Sequence, residues 1–376
     1  MRVFKNNIYI SNQKELTTII KESYSEQTVI VMSAQSSKRY GLDALLKELA
    51  EAQNIVWITS FSSNPTQQDI QNSLMQIGDF PFQQILAIGG GSAIDLSKGI
   101  LALYPEKLPI IMQVPTIEEI TKTITEKSYT SKTTSLSLTA IPTTAGTGSE
   151  VTSWATIWDV NVSAKYSIDA PWLTPKTVYL IPELTYTLSP KLTLSTGLDA
   201  LAHAMEAYWA KVTNPTVKNL ALDAVQAIVK YLPIAIDDPS NKEAREQMLL
   251  ASCTSGLAFS QTRTTACHSI SYPLTYLYHV EHGFAVAMTL AQVAEINKRA
   301  VPDMERLLDC FSAYNGIDAW INAVCNGVVK LRLSEWDISE ADIPNIVEHS
   351  FTKGRMDNNP VALTPEDVSN ILIQVL

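Results

Sequence analysis

Asp199 and His203 stand four residues apart in the run Gly197-Leu198-Asp199-Ala200-Leu201-Ala202-His203-Ala204-Met205-Glu206-Ala207-Tyr208. The run is rich in Ala, Leu, Met and Glu, which predicts a helix. Four residues make about one helical turn, so the carboxylate and the imidazole share a face. The rest of the run is apolar and is expected to be buried, where an Asp is costly unless it is paired or holds a metal. A core Asp–His hydrogen bond would satisfy this pair by itself. The histidine distribution adds a second reading: the chain has five, His203, His268, His279, His282 and His349, and three fall between His268 and His282. Asp199, His203, His268 and His282 would make an oxygen-and-nitrogen donor set suited to a divalent transition metal such as Fe²⁺ or Zn²⁺. His279 reads as a surface residue on the loop before His282.

Two further stretches suit phosphate. An apolar run ending at Ile88 leads into Gly89-Gly90-Gly91-Ser92-Ala93-Ile94-Asp95-Leu96-Ser97-Lys98. Three glycines at a strand end allow a sharp turn and leave no side chain in a ligand's way, and the following helix offers free N–H groups and the positive end of its dipole. The spacing is not GxGxxG, and a strand-to-helix turn also uses glycine for geometry alone. The second stretch, Pro142-Thr143-Thr144-Ala145-Gly146-Thr147-Gly148-Ser149-Glu150, concentrates hydroxyls and turn glycines that suit a dinucleotide's phosphates and nicotinamide. By itself it also reads as a polar loop between strands.

The elements that must position these residues change character along the chain. Thr28–Met32, Asn54–Ile58 and Gln84–Ile88 read as buried strands, alternating with helices over Leu42–Ala52 and Gln67–Ile77, which implies a parallel sheet covered on both faces. From Thr139 to Val178 the texture turns to Thr-rich strands and turns. Beyond Pro190 the chain predicts helices over 191–211, 215–231, 242–261, 283–298, 302–312, 316–331 and 365–376. The shift near residue 185 divides an α/β domain (1–185) from an all-helical one (186–376), and two domains are the natural prior for 376 residues. A 46% hydrophobic, 18% charged composition is that of an ordinary globular protein. A net charge of −10 argues against nucleic acid as a partner. The four cysteines show no CxxC spacing, no apolar run reaches 18 residues and no signal pattern opens the chain, so a cytoplasmic protein with no membrane partner is expected.

Taken together, the Gly89–Lys98, Pro142–Glu150 and Gly197–Tyr208 motifs, His268 and His282 with Pro273 and Gly283, and Asn358-Asn359-Pro360 resemble the iron-containing (group III) alcohol dehydrogenase family. The likeness spans nearly the whole chain. It implies a Rossmann-like parallel sheet domain followed by an all-α domain, the dehydroquinate synthase-like architecture, with metal and substrate held between them. Carried over residue by residue, it implies Asp199, His203, His268 and His282 as ligands of one divalent ion. It implies Gly89, Gly90, Gly91, Ser92 and Asp95, together with Lys98, on the pyrophosphate loop. Thr143, Thr144, Thr147 and Ser149 fall on the cofactor-facing loop, and Lys165 matches a lysine that approaches the cofactor. The implied reaction is reversible reduction of an aldehyde to an alcohol by NADH or NADPH, in a homodimer or larger homo-oligomer.

There are departures from the pattern. Where many relatives place a second histidine four residues after the third ligand, this chain has Tyr272, whose hydroxyl can relay a proton but is a weak base near neutral pH. The second strand leads into Ser33 and Gln35, with Lys38 and Arg39 beyond, and no carboxylate that would repel a 2′-phosphate; NADPH is the expected cofactor, with NADH the alternative. The segment Arg263-Thr264-Thr265-Ala266-Cys267-His268 followed by Ser-Tyr-Pro-Leu-Thr is similar to the phosphonoacetaldehyde reductase branch. There Arg263 and Thr264, with Thr265, would meet a phosphonate. A generic short-chain aldehyde is the alternative substrate. A dehydroquinate synthase-type lyase would share the architecture but calls for more cations than the C-terminal motifs carry, and a non-catalytic metal-binding protein leaves the cofactor loops unexplained.

Overall fold

The computed structural model describes residues 6–23, 27–104, 114–159 and 164–376. They form two compact units: one runs to Thr144 and resumes over Ser149–Thr185, and the other comprises Ala145–Gly148 and Tyr186–Leu376. The chain changes unit near 185 and also makes an excursion at 145–148. The glycines explain the excursion. A Cβ on Gly146 would lie 2.7 Å from Thr196 Cβ, and one on Gly148 2.6 Å from the Gly256 Cα, so this loop lies backbone-close to helices of the second unit.

The first unit is built on a six-stranded sheet, β1 (Asn7–Ile10), β2 (Thr28–Val31), β3 (Ile55–Ile58), β4 (Gln84–Gly89), β5 (Ser137–Pro142) and β8 (Thr177–Leu180), in the order β1-β8-β5-β4-β2-β3. All pairings in this sheet are parallel. The helices α1 (Gln13–Ser23), α2 (Ala34–Arg39), α3 (Asp43–Glu51), α4 (Gln67–Ile77), α5 (Gly91–Leu103) and α6 (Ile117–Thr125) alternate with the strands. β6 (Trp154–Asp159) and β7 (Ala164–Asp169) make a separate antiparallel hairpin. Because side chains alternate along a strand, Val29, Val31, Ile85 and Ala87 enter one core with Ile70, Leu74, Ile94 and Ile100. Ile30, Met32, Leu86 and Ile88 enter the opposite core with Leu16, Ile20, Leu46 and Trp57. Burial on both faces is why these strands read as unbroken apolar runs.

The order also locates a ligand edge. From β2 the chain moves outward to β3 and then returns to β4 on β2's other side. That reversal falls at the carboxyl ends of β2 and β4, the edge at which open parallel sheets bind their ligands. Ser33 follows β2 and the glycine turn follows β4, so the two stretches singled out in the sequence meet this edge. Gly89 is in register with Pro142, which brings the start of the Thr-rich loop to the same edge.

The second unit is helical: α7 (Pro190–Trp209), α8 (Pro215–Asp237), α9 (Lys242–Thr262), α10 (Ala266–Tyr278), α11 (His282–Ala287), α12 (Leu290–Asn297), α13 (Met304–Leu308), α14 (Ile317–Cys325), α15 (Ile343–His349) and α16 (Pro365–Gln374). Ser189 caps α7 by accepting the Leu192 N–H, and Pro190 sits at its first turn. From Gly197 to Trp209 every residue of α7 is buried. Gly197 lets α8 approach closely, since a Cβ there would lie 2.5 Å from Leu232 Cδ1. α8 is long and apolar enough to cross a membrane by length and composition, yet Val217, Ala221, Val225, Ile228 and Leu232 are buried in a helix that packs on α7 and α9. Several expectations differ from what is found: α15 was not expected, and the span 316–331 is an α-helix only over Ile317–Cys325. α10 was not expected, because Pro273 inside it breaks the pattern, and the span 283–298 is divided into α11 and α12.

Candidate active site

Three helices build a cluster in the second unit. α7 places Asp199, His203 and Glu206 at i, i+4 and i+7 on one face, α10 supplies His268 near its start, and α11 begins with His282. One donor atom each from Asp199, His268 and His282 lies within 4.8 Å of both others. From Asp199 Oδ1 the distances are 3.6 Å to His268 Nε2 and 3.8 Å to His282 Nε2. Donors bound tetrahedrally at zinc-like bond lengths stand about 3.4 Å apart, so these spacings fit an ion with little adjustment. His203 Nδ1 is 3.8 Å from the same oxygen, with its ring stacked on Phe259 at 4.0 Å. His203 stands beside the three-residue group rather than within it.

The hydrogen-bond inventory supports an ion. Asp199 Oδ1, His203 Nδ1 and His268 Nε2 are buried and have no hydrogen-bond partner among the described residues. Buried polar atoms are seldom left so, and Asp199 Oδ1 and His268 Nε2, grouped with a donor atom of His282, are a set that a cation satisfies. Burial pushes the Asp199 carboxyl up, but His203, His268 and His282 around it outweigh burial and hold it well below the usual carboxylate range. Burial pushes the His203 imidazole down to about 4 against the pull of Asp199. His268 responds in the opposite direction: Glu206 and Asp199 overcome its burial and raise it to about 9. The His282 side chain is 37% exposed whereas that of Asp199 is 6% exposed, so His282 lies on the open side of the cluster.

Close approach of the backbones makes the cluster possible. A Cβ on Gly283 would fall 1.8 Å from the Ser195 carbonyl oxygen, so only glycine lets the first turn of α11 lie against α7 and bring His282 to Asp199. Tyr272, one turn after His268 on α10, stacks its ring on His282 at 6.2 Å. His279 is exposed and ends α10 in the left-handed conformation.

Glu206 escaped the sequence reading. It is fully buried and contacts His268 Nδ1 through Oε2. The spacing Asp199, His203, Glu206 was the available signal, but its partner is 62 residues away.

The expected substrate segment separates into two parts. Arg263, half-buried, ends α9 with φ of 64°, and Thr264 is buried with its hydroxyl unpartnered. Thr265 does not face outward: its hydroxyl donates to Glu206 at 2.7 Å and accepts from the Trp209 indole at 2.9 Å. Asn358 holds the segment from behind, donating to the carbonyls of Thr262 and Thr264.

In the sheet unit the glycine turn enters α5 at Gly90, whose absent side chain leaves room for Thr144: a Cβ there would lie 3.1 Å from its hydroxyl. The Thr143 N–H donates to the Gly89 carbonyl at 3.0 Å, joining the two loops. Ser33 caps α2 by accepting the Ser36 N–H. Lys165 is exposed on β7 with its ammonium 5.7 Å from the Trp158 ring. Asp95 accepts the Thr156 N–H at 2.9 Å, tying α5 to the hairpin. Lys98 requires a correction as a cofactor residue. Its ammonium is buried and donates to Ser149 O at 2.7 Å, Trp154 O at 2.8 Å and Thr152 Oγ1 at 3.1 Å. All three of its donors go to the chain, so it anchors the 149–154 segment from inside and has none left for a phosphate.

A divalent-cation donor set in a helical unit, carried on the same chain as a parallel sheet with a glycine turn at its reversal, marks a metal-dependent, nicotinamide-linked oxidoreductase. Comparison with known proteins sharpens this. Residues 7–182 match the profile described as iron-containing alcohol dehydrogenase, and residues 193–376 match the Fe-containing alcohol dehydrogenase family, C-terminal. The NADPH-dependent butanol dehydrogenase of Clostridium saccharobutylicum is 30% identical over 370 residues, 94% of this chain and 92% of that protein. The sulfoacetaldehyde reductase of Bilophila wadsworthia is 26% identical, over 96% of this chain and 94% of that protein. The crystal structure of sulfoacetaldehyde reductase from Bifidobacterium kashiwanohense in complex with NAD⁺ aligns over 100% of this chain and 98% of that one, with a TM-score of 0.83 and 29% identity. The chain belongs to the iron-containing alcohol dehydrogenase family. It is an NAD(P)-dependent, metal-dependent oxidoreductase acting on alcohol or aldehyde groups.

Proposed function

We propose that the enzyme reduces a two-carbon aldehyde bearing a tetrahedral oxyanion, phosphonoacetaldehyde to 2-hydroxyethylphosphonate, with NADPH preferred to NADH. The observation that carries the substrate is Thr264. A buried hydroxyl with no partner among the described residues, four residues before His268 and next to the half-buried Arg263, is what an oxyanion's ligand would leave behind. An arginine fork complements two oxygens of a phosphonate or sulfonate, and relatives named sulfoacetaldehyde reductases take an aldehyde of that shape.

In this reading Asp199, His203, His268 and His282 hold the divalent ion, iron or zinc. When bound, it supplies Lewis acidity at the substrate's carbonyl oxygen, where charge develops as hydride arrives. Gly89, Gly90, Gly91 and Ser92 offer backbone N–H groups and the start of α5 to the cofactor's pyrophosphate. Thr143, Thr144, Thr147 and Ser149 bond the rest of the dinucleotide, Lys165 approaches it from β7, and Asp95 steadies the turn. Tyr272, stacked on His282, passes the proton that the product hydroxyl gains. Ser33, with no carboxylate between it and Lys38 and Arg39, accommodates the 2′-phosphate of NADPH.

The test is a kinetic comparison of phosphonoacetaldehyde, sulfoacetaldehyde and butanal with both cofactors, in wild type and Arg263→Ala. The variant should lose roughly 100-fold in kcat/KM for the anionic aldehydes and change little for butanal, since a hydrogen-bonded charge pair is worth a few kcal/mol. Equal loss for all three, or a wild type that prefers butanal, would return the substrate to a plain short-chain aldehyde, the kind of chemistry named for the Clostridium relative.

A further inference from the structure

α10 carries His268 in its first turn, yet it has no capping side chain of its own; Thr265, at the cap position, makes no such bond. The acceptor comes from another helix. Oε1 of Glu206, fully buried on α7, takes the Cys267 N–H at 2.8 Å, the Thr265 hydroxyl at 2.7 Å and, more distantly, the His268 N–H at 3.4 Å. Oε2 is turned to the His268 ring at Nδ1. The two oxygens of one carboxylate are thus divided between a helix start and an imidazole.

We infer that Glu206 is a positioning residue of the metal centre: it holds His268 with the hydrogen on Nδ1 and fixes the helix bearing His268 to the helix bearing Asp199 and His203. The inference rests on the reading of His268 as a metal ligand. A carboxylate only accepts, so the ring nitrogen facing it must carry hydrogen. Nε2, 3.6 Å from Asp199 Oδ1 and unpartnered among the described residues, is then the atom that ligates. A ligand histidine whose second nitrogen is held by an acceptor keeps both its tautomer and its ring orientation, and loss of such an acceptor costs metal affinity.

Glu206→Gln separates the capping function from the ring function. The Gln carbonyl must stay at the Oε1 position, because turning the amide over would point its NH₂ at the Cys267 N–H, donor against donor. The cap is therefore kept, while the NH₂ takes the place of Oε2 and faces Nδ1. His268 can meet a donor there only by moving its hydrogen to Nε2, the atom the ion needs. The experiment is a competition titration of Zn²⁺ and Co²⁺ against a chromophoric chelator, with thermal unfolding of the metal-free proteins alongside. Glu206→Gln should bind either ion roughly 10–100-fold more weakly than wild type, with a midpoint within about 3 °C of it. Wild-type affinity in the variant would overturn the inference and leave the ligand assignment standing; a wild type that takes up neither ion would overturn both. Histidine ¹⁵N spectra of zinc-loaded wild type need no variant to fold. His268 should show hydrogen on Nδ1 and zinc on Nε2, and zinc on Nδ1 would overturn the inference.

Discussion

The two units bury charge in opposite ways. In the sheet unit the Lys98 ammonium is surrounded by oxygens of its own chain, with Asp95 and Glu150 near enough to act on its charge. In the helical unit Asp199 and His268 are also buried but turn Oδ1 and Nε2, unpartnered among the described residues, toward a common point with His282. Both sets would look alike as buried charged residues in a composition count. Their difference is in whether the chain completes the bonding: the first set is a tie within the fold, and the second calls for something added. A satisfied network rigidifies, whereas an incomplete one is stable only with its missing member.

That contrast is broken most directly at His268. His268→Ala should lower aldehyde-dependent oxidation of NAD(P)H by at least about 10³-fold, because the ion's stabilisation of developing charge is worth several kcal/mol. Cofactor binding, followed by nicotinamide fluorescence, should be nearly unchanged, since the glycine turn belongs to the other unit. Wild-type turnover with metal still bound would remove His268 from the site.

Lys98→Met asks the matching question of the satisfied set. It takes the ammonium away from the Ser149 and Trp154 carbonyls and leaves Glu150 and Asp95 without their neighbouring cation. Removing one member of a buried charged network costs about 3–5 kcal/mol. The denaturation midpoint of the sheet unit should fall accordingly while zinc affinity stays at the wild-type level. A large loss of zinc affinity with an unchanged midpoint would mean the two clusters had been assigned the wrong way round.

Gly283→Ala should act on both properties, less strongly. Its Cβ cannot coexist with the Ser195 carbonyl at 1.8 Å, so α11 must move off α7 and take His282 with it. Overpacking of this kind costs about 1–3 kcal/mol. Metal titration should show the affinity falling along with the thermal midpoint, and full affinity would show that His282 tolerates the displacement.

These two regions were also unequally legible in the sequence. Strands β2, β3 and β4 could be read because burial on both faces makes them continuous apolar runs, and the glycine turn stood out at the end of one. Their order in the sheet could not, since nothing local says that β4 returns past β2. In the helical unit the Asp199–His203 turn was readable from spacing alone. α10 was not, because Pro273 interrupts the periodicity by removing a backbone donor. Lys98 and Thr265 were misplaced for one reason: both carry chemistry suited to a phosphate or phosphonate, and only the fold shows that their hydrogen bonds go inward. Glu206 was overlooked because its significance lies in a residue of another helix.

The pH dependence of stability tests the satisfied set in another way. Burial raises the Glu150 carboxyl to about 7, and burial lowers the Lys98 ammonium to about 8. For Glu150 the folded state retains a proton that the unfolded chain releases near 4.5, so stability falls as pH rises from there to about 7. For Lys98 the unfolded chain keeps its proton up to about 10.5 while the folded state releases it near 8, so stability rises again between those values. Each group contributes a slope of at most about 1.4 kcal/mol per pH unit. Urea midpoints of the metal-free protein, measured from pH 5 to 10 in a His203→Ala/His268→Ala background that removes the opposing shifts of those imidazoles, should therefore pass through a minimum between 7 and 8. Glu150→Gln should flatten the acid arm and leave the alkaline one. A minimum that persists unaltered in that variant would place its origin outside the Lys98 cluster.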